Sequence, residues 1–156
     1  MGGMEMIEKR LAELGIELPV APVPVFQYVP VTVHERLAFV SGQLPRKGDD
    51  IVTGKVGADV DLERAQEAAR LCIIQGLACL RQNLGSLDRV ERVLKLTGFV
   101  ASAAGFNQQP KVIDAASELL GRVFGESGRH ARSAVGVAEL PRNASVEIEM
   151  IVSLKS

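Results

Sequence analysis

The residues best equipped for chemistry lie between positions 128 and 153 of this 156-residue chain. Arg132 is an obligate cation, Glu147 and Glu149 are carboxylates, and Ala134 and Gly136 are small enough to leave room beside them. A guanidinium can hold a carboxylate through two parallel hydrogen bonds, and a glutamate can hold or deprotonate a water molecule. Strand arginines are more often solvated or paired, and Glu149 reads mainly as a solvated or interface charge. Charge and space alone do not make a site.

Two strands must position these groups. Residues 133–137 and 145–152 alternate in period 2, and Pro141-Arg142-Asn143 breaks the run between them. Paired antiparallel, with Ala138 opposite Ser145, they send Val135, Val137, Val146, Ile148 and Met150 to a core. Arg132, Ala134, Gly136, Glu147 and Glu149 then share the other face. In this register Gly136 faces Glu147, and Arg132 lies about 13 Å further along at roughly 3.3 Å per residue. Joining the two charges takes a bridging group or a neighbouring subunit.

Upstream, residues 4–14 carry apolar positions at helical spacing, with Gly15 as the stop, and Pro19, Pro22 and Pro24 make the connector extended. Residues 25–33 read as a strand that Pro30 confines to an edge, and 36–41 as a second. A polar loop over 46–50 and a weak third strand over 51–56 follow. Residues 59–84 form the clearest helix, capped by Asp59 or Asp61 and closed by Gly85. A strand lies within 88–101, where Gly98 marks a bulge or a close approach. A second long helix lies within 106–124, with Pro110 in its first turn. The order predicts an α+β fold, a mixed sheet with two helices on one face. Residues 1–24 are expected to form an N-terminal helix and proline-rich connector, and residues 25–156 a single domain.

The totals exclude several classes. The net charge is −1 and aromatics are 4%, which argues against a nucleic-acid partner. No apolar run approaches the ~20 residues of a membrane span. The first residues lack a charged-then-apolar export pattern, and Cys72 and Cys79 stand seven apart on a helix, beyond disulfide reach. Both read as reduced core residues, consistent with a cytoplasmic protein. His34 and His130 are too few and too isolated for a metal cluster, so no metal is expected. Asn143-Ala144-Ser145 matches a glycosylation sequon and reads as a turn.

Three segments, in order, carry a family resemblance. They are Phe39-Val40-Ser41-Gly42-Gln43-Leu44-Pro45, then Ala131-Arg132-Ser133 with Leu140-Pro141, then Val146-Glu147-Ile148-Glu149. Together with the helix and strand spacing between them, they resemble the Rid family of reactive intermediate deaminases (YjgF-like proteins), in a longer subgroup with an N-terminal helix. The resemblance implies a chorismate-mutase-like fold and a homotrimer with clefts between subunits. It also implies hydrolysis of reactive enamines and imines, such as 2-aminoacrylate, to 2-keto acids and ammonia, with no cofactor.

Carried onto this chain, the family's carboxylate-binding arginine falls on Arg132 and its glutamate on Glu147. Tyr28, Ser41, Gly42, Phe106 and Ala134 fall at substrate-contacting positions, Gly42 with a backbone N–H to offer. Three positions depart from the common pattern. His130 stands where many members have proline, Ala134 where many have cysteine, and Ile113-Asp114 where an asparagine is usual. Two rival activities belong beside the deaminase, an endoribonuclease and non-catalytic binding of small carboxylates or 2-keto acids in the cleft. An RNA-cleaving site would want a basic groove, stacking aromatics and histidines, and this chain is poor in all three.

Overall fold

A computed structural model describes residues 5–156; Met4, where the first helix was expected to open, lies outside the described residues. The elements are α1 (Met6–Glu13), β1 (Val31–His34), β2 (Leu37–Gln43), β3 (Arg46–Lys47), β4 (Asp50–Ile51), α2 (Leu62–Leu84), β5 (Val90–Ala101), α3 (Gln109–Phe124), β6 (Ala131–Val137) and β7 (Val146–Leu154). Of the two candidate caps for α2, Asp61 is the one used, accepting from the Arg64 backbone N–H at 2.8 Å. The helix ends where Gly85 takes a left-handed φ of 83°. No described helix is long and apolar enough to cross a membrane.

Five strands form one sheet in the order β1-β2-β7-β5-β6, and β3 pairs with β4 in a separate ribbon. Helices α2 and α3 lie side by side on one face of the sheet, burying Ile73, Leu77, Leu80, Ile113 and Leu120 against Leu96, Val100, Ile148 and Val152. Gly98 permits the close approach expected of it, since a β-carbon there would collide with the Ile113 side chain. Helix α1 is pinned to the rest: the Asp88 carboxylate accepts from the Met6 and Ile7 backbone N–H groups, both at 2.9 Å, and Leu11 is buried. Cys72 and Cys79 are free and buried, and burial pushes both thiols up, Cys79 to about 11.

The expected C-terminal hairpin does not form. Strand β5 separates its two members, pairing parallel with β6 and antiparallel with β7. Alternation fixes which side chains share a face of one strand, but not which strand lies beside it. On β6 the expected phase is also reversed. Arg132 bonds to α3, Ala134 packs on the core, and a β-carbon on Gly136 would stand 2.7 Å from Gln109 Nε2. These three residues face the helices, whereas Val135 is 43% exposed on the other side and Val137 is only half-buried. The reason is that β6 is an edge strand packed under a polar stretch of α3, where small and charged residues fit better than valine.

Two smaller expectations change as well. The strand foreseen over 25–33 contracts to Val31–His34, because Pro24 and Pro30 keep the preceding chain off the ladder. The polar loop at 46–50 holds the β3–β4 ribbon, and the weak strand over 51–56 survives only as Ile51 within it.

Candidate functional site

The predicted residues divide into two groups on opposite faces of the sheet. The first gathers around a bulge in β2. Val40 pairs with Met150 and Gln43 with Ile148, so Ser41 and Gly42 together oppose Glu149. The bulge is held by Gln43, whose Nε2 donates to the Ser41 carbonyl at 3.0 Å. The Ser41 hydroxyl donates to the Val29 carbonyl at 2.7 Å, and its backbone N–H donates to that of Pro30 at 2.9 Å. Ser41 therefore anchors the segment carrying Tyr28, which is 59% exposed.

Gly42 lies against Glu147, since a β-carbon at 42 would fall 2.5 Å from Glu147 Oε1. Burial first, and the charge of Glu149 second, raise the Glu147 carboxyl above its ordinary value. Tyr28 and Ser41 also line a hollow of about 390 Å³ on the helix-free face, with Phe39, Lys95, Thr97 and Glu149.

The second group stands on the helix side of β6. Arg132 Nη1 donates to Asp114 Oδ1 at 2.8 Å and to Ser117 Oγ at 3.2 Å. The next link is His130. Its Nδ1 lies 2.7 Å from the Gly128 carbonyl, which can only accept, so that nitrogen carries the proton. In the neutral ring Nε2 is then an acceptor, 2.9 Å from Ser117 Oγ, and the serine hydroxyl donates to it. A directed chain results, from Arg132 through Ser117 and His130 to the backbone.

The guanidinium is not consumed by these contacts. Its side chain is 24% exposed, its Nε and Nη2 have no hydrogen-bond partner among the described residues, and a hollow of about 270 Å³ lies beside it. Two donors on one edge stay available for an anion.

Ala134 follows Arg132 on the same face, but it packs on the core and does not line the hollow beside the guanidinium. Phe106 stays apart, in the loop between β5 and α3, where its ring packs against Gly57. Nor does one chain bring Arg132 and Glu147 together. They sit two strands apart, about 10 Å at the usual strand spacing, roughly three residues out of line, and on opposite faces. Sequence reasoning missed Ser117 and the part played by Asp114, which are ordinary polar residues on a helix. The signal present was spacing, since positions 114 and 117 are i,i+3 neighbours on one helical face.

This geometry can be set beside known proteins. The family model described as "YjgF/chorismate_mutase-like, putative endoribonuclease" matches residues 8–154. The chain is 43% identical over 152 residues to Protein TCP17 of Trypanosoma cruzi, covering 96% of this chain and 95% of that protein. It is 31% identical over 142 residues to a 2-iminobutanoate/2-iminopropanoate deaminase of Dermatophagoides farinae, covering 90% and 95%. A crystal structure of Atu1372 from Agrobacterium tumefaciens, of unknown function, superposes with a TM-score of 0.90 at 53% identity, over 96% of this chain and 93% of that one. The chain belongs to the YjgF/Rid family, and its α+β fold is that family's chorismate-mutase-like fold.

Proposed function

We propose that the protein hydrolyses 2-imino acids, and the enamines that tautomerise to them, to 2-keto acids and ammonia. The reaction takes place in a cleft between two copies of the chain, in a homotrimer. The observation that carries this reading is the division of the site. A guanidinium with a free edge lies on one face of an edge strand, and a carboxyl with a raised pKa lies on the opposite face, beside an uncovered sheet surface bearing Phe39 and Val135. One copy presents Arg132 and its neighbour presents Glu147. An exposed apolar surface of this kind is what a second copy would cover.

Arg132 grips the substrate carboxylate through Nε and Nη2, which fixes the C=N carbon against a water held by Glu147. Glu147 takes a proton from that water as its oxygen adds to the imine carbon. That proton passes to nitrogen to give the amino alcohol; the hydroxyl proton then follows it by way of the Glu147 carboxylate, and as the C=O bond forms the C–N bond breaks, releasing ammonia and leaving the 2-keto acid. A carboxyl that burial has made a somewhat stronger base than usual suits a group that must both accept and return a proton. The deaminase named for the Dermatophagoides farinae relative is the same reaction class.

The test is to generate 2-aminoacrylate or another short-lived imine with an amino-acid dehydratase or oxidase and follow its decay. Wild-type chain should accelerate decay over buffer and Arg132→Ala should not. Equal decay in buffer and in wild type would end the reading.

A further inference from the structure

A second pocket is lined by Gly42, the residue that lies against Glu147. It measures about 330 Å³, at the small end of ligand pockets (roughly 300–1,000 Å³), and Gly42, Gln43 and Tyr28 form its inner wall. Its outer wall is the proline connector, Pro22 to Val25, held in place because Leu18 and Ala21 are buried in the core. Three further lining residues are polar, and each keeps hydrogen-bonding capacity that no described residue uses.

Two are arginines. Arg46 and Arg142 line the pocket, and neither side chain makes an ion pair or a hydrogen bond among the described residues. Arg142 is exposed in the Pro141–Asn143 turn, where it and Asn143 both hold left-handed backbones, φ 58° and 57°. The third is Gln75, only 3% exposed. Its Nε2 donates to the Arg46 carbonyl at 3.1 Å, which fixes the amide's orientation and leaves Oε1 without a partner. A buried carbonyl without a donor is costly, so it is expected to acquire one when the site is in use.

We propose that this pocket receives the substrate's side chain and selects one ending in a carboxylate, so that the preferred substrate is a dicarboxylic 2-imino acid. The proposal rests on the deaminase reading for the reacting end of the molecule. With the imine carbon at Glu147, the adjoining pocket is where the rest of the substrate extends, past Gly42 and along the apolar connector. A guanidinium drawn inward by the second carboxylate has five N–H donors. In the proposed complex it serves that anion with one edge and, once the side chains rearrange to unshield it, Gln75 Oε1 with another.

The test uses two isosteric imines made in situ by amino-acid oxidases, from glutamate and from glutamine. With hydrogen bonds to charged groups at stake, kcat/KM should favour the glutamate-derived imine about tenfold or more. That ratio should collapse in Arg142→Ala or Arg46→Ala and persist in Arg64→Ala, a surface arginine paired with Glu67. A ratio near one, or one unmoved in both pocket variants, overturns the proposal. Calorimetry with 2-ketoglutarate and 2-ketobutyrate separates the two readings. If neither imine is accelerated, the deaminase reading fails. Tighter dicarboxylate binding that is lost in Arg142→Ala would still support the pocket, and equal binding of both acids would refute it.

Discussion

Gly42 lies directly against Glu147, and any side chain at 42 would have to share space with the carboxylate, because a β-carbon there falls 2.5 Å from Oε1. What yields is the far end of a flexible side chain, not backbone, so Gly42→Ala is expected to fold. Its cost should fall on turnover. A displacement of an ångström in a reacting group can cost on the order of 10²-fold. Imine-decay assays should show that loss while the melting temperature stays near wild type.

Glu147 gives two opposed pH signatures. For activity, the carboxyl must be ionised to hold and deprotonate water, so the acidic limb of kcat/KM should lie above 4.5. Glu149→Gln removes the like charge and should move that limb to lower pH. For stability, the folded chain binds this proton more tightly than the unfolded chain does. The group's contribution is therefore present below the ordinary carboxylate range and is lost as pH rises through the raised value. Glu147→Gln should accordingly lose about 10²–10⁴-fold in rate and melt higher at neutral pH. A variant that melted lower would contradict the assigned burial cost.

The proposed division of the site between copies has a direct assay. Arg132→Ala and Glu147→Gln chains should each be inactive alone. Unfolded together in equal amounts and refolded, they should regain activity, because roughly a quarter of random interfaces then pair an intact arginine with an intact glutamate. No recovery in mixed assemblies of the correct size would place both groups in one copy's site.

Ser117 is predicted to position Arg132 without touching substrate. Ser117→Ala removes the acceptor between Arg132 and His130, at a cost of about 0.5–1.5 kcal/mol for one hydrogen bond. That should appear as a severalfold rise in KM with kcat nearly unchanged, and Ser117→Thr should restore it. A matching fall in kcat alone would assign the serine a different part.

Much of this was legible before any coordinates. Asp61, Gly85 and Pro110 mark helix ends by backbone chemistry that acts locally, and the helices begin and end where those residues require. Val146, Ile148 and Met150 declared their buried face by alternation. The partner of each strand was not legible, since β6 and β7 are close in sequence and the expected hairpin was the economical guess. Pairing across α3 is a long-range outcome of packing. The same error placed Arg132 and Glu147 on one face, although the roughly 13 Å between them in that register already called for a bridging group or a neighbouring subunit. His130 reads in the sequence as a departure from proline and as a histidine too isolated for a metal, and its bond to Ser117 depends on how β6 meets α3.

One feature of the topology bears on how the chain reaches this state at all. Strand β7, last among the described elements in chain order, occupies the middle of the sheet, between β2 and β5. Those two strands have no bond to one another until it arrives. A nascent chain emerging up to Asn143 would expose two open strand edges with nothing to zip them, and such long-range closures are slow and prone to sticking. Arrival of β7, not of the helices, is then the moment at which the sheet closes.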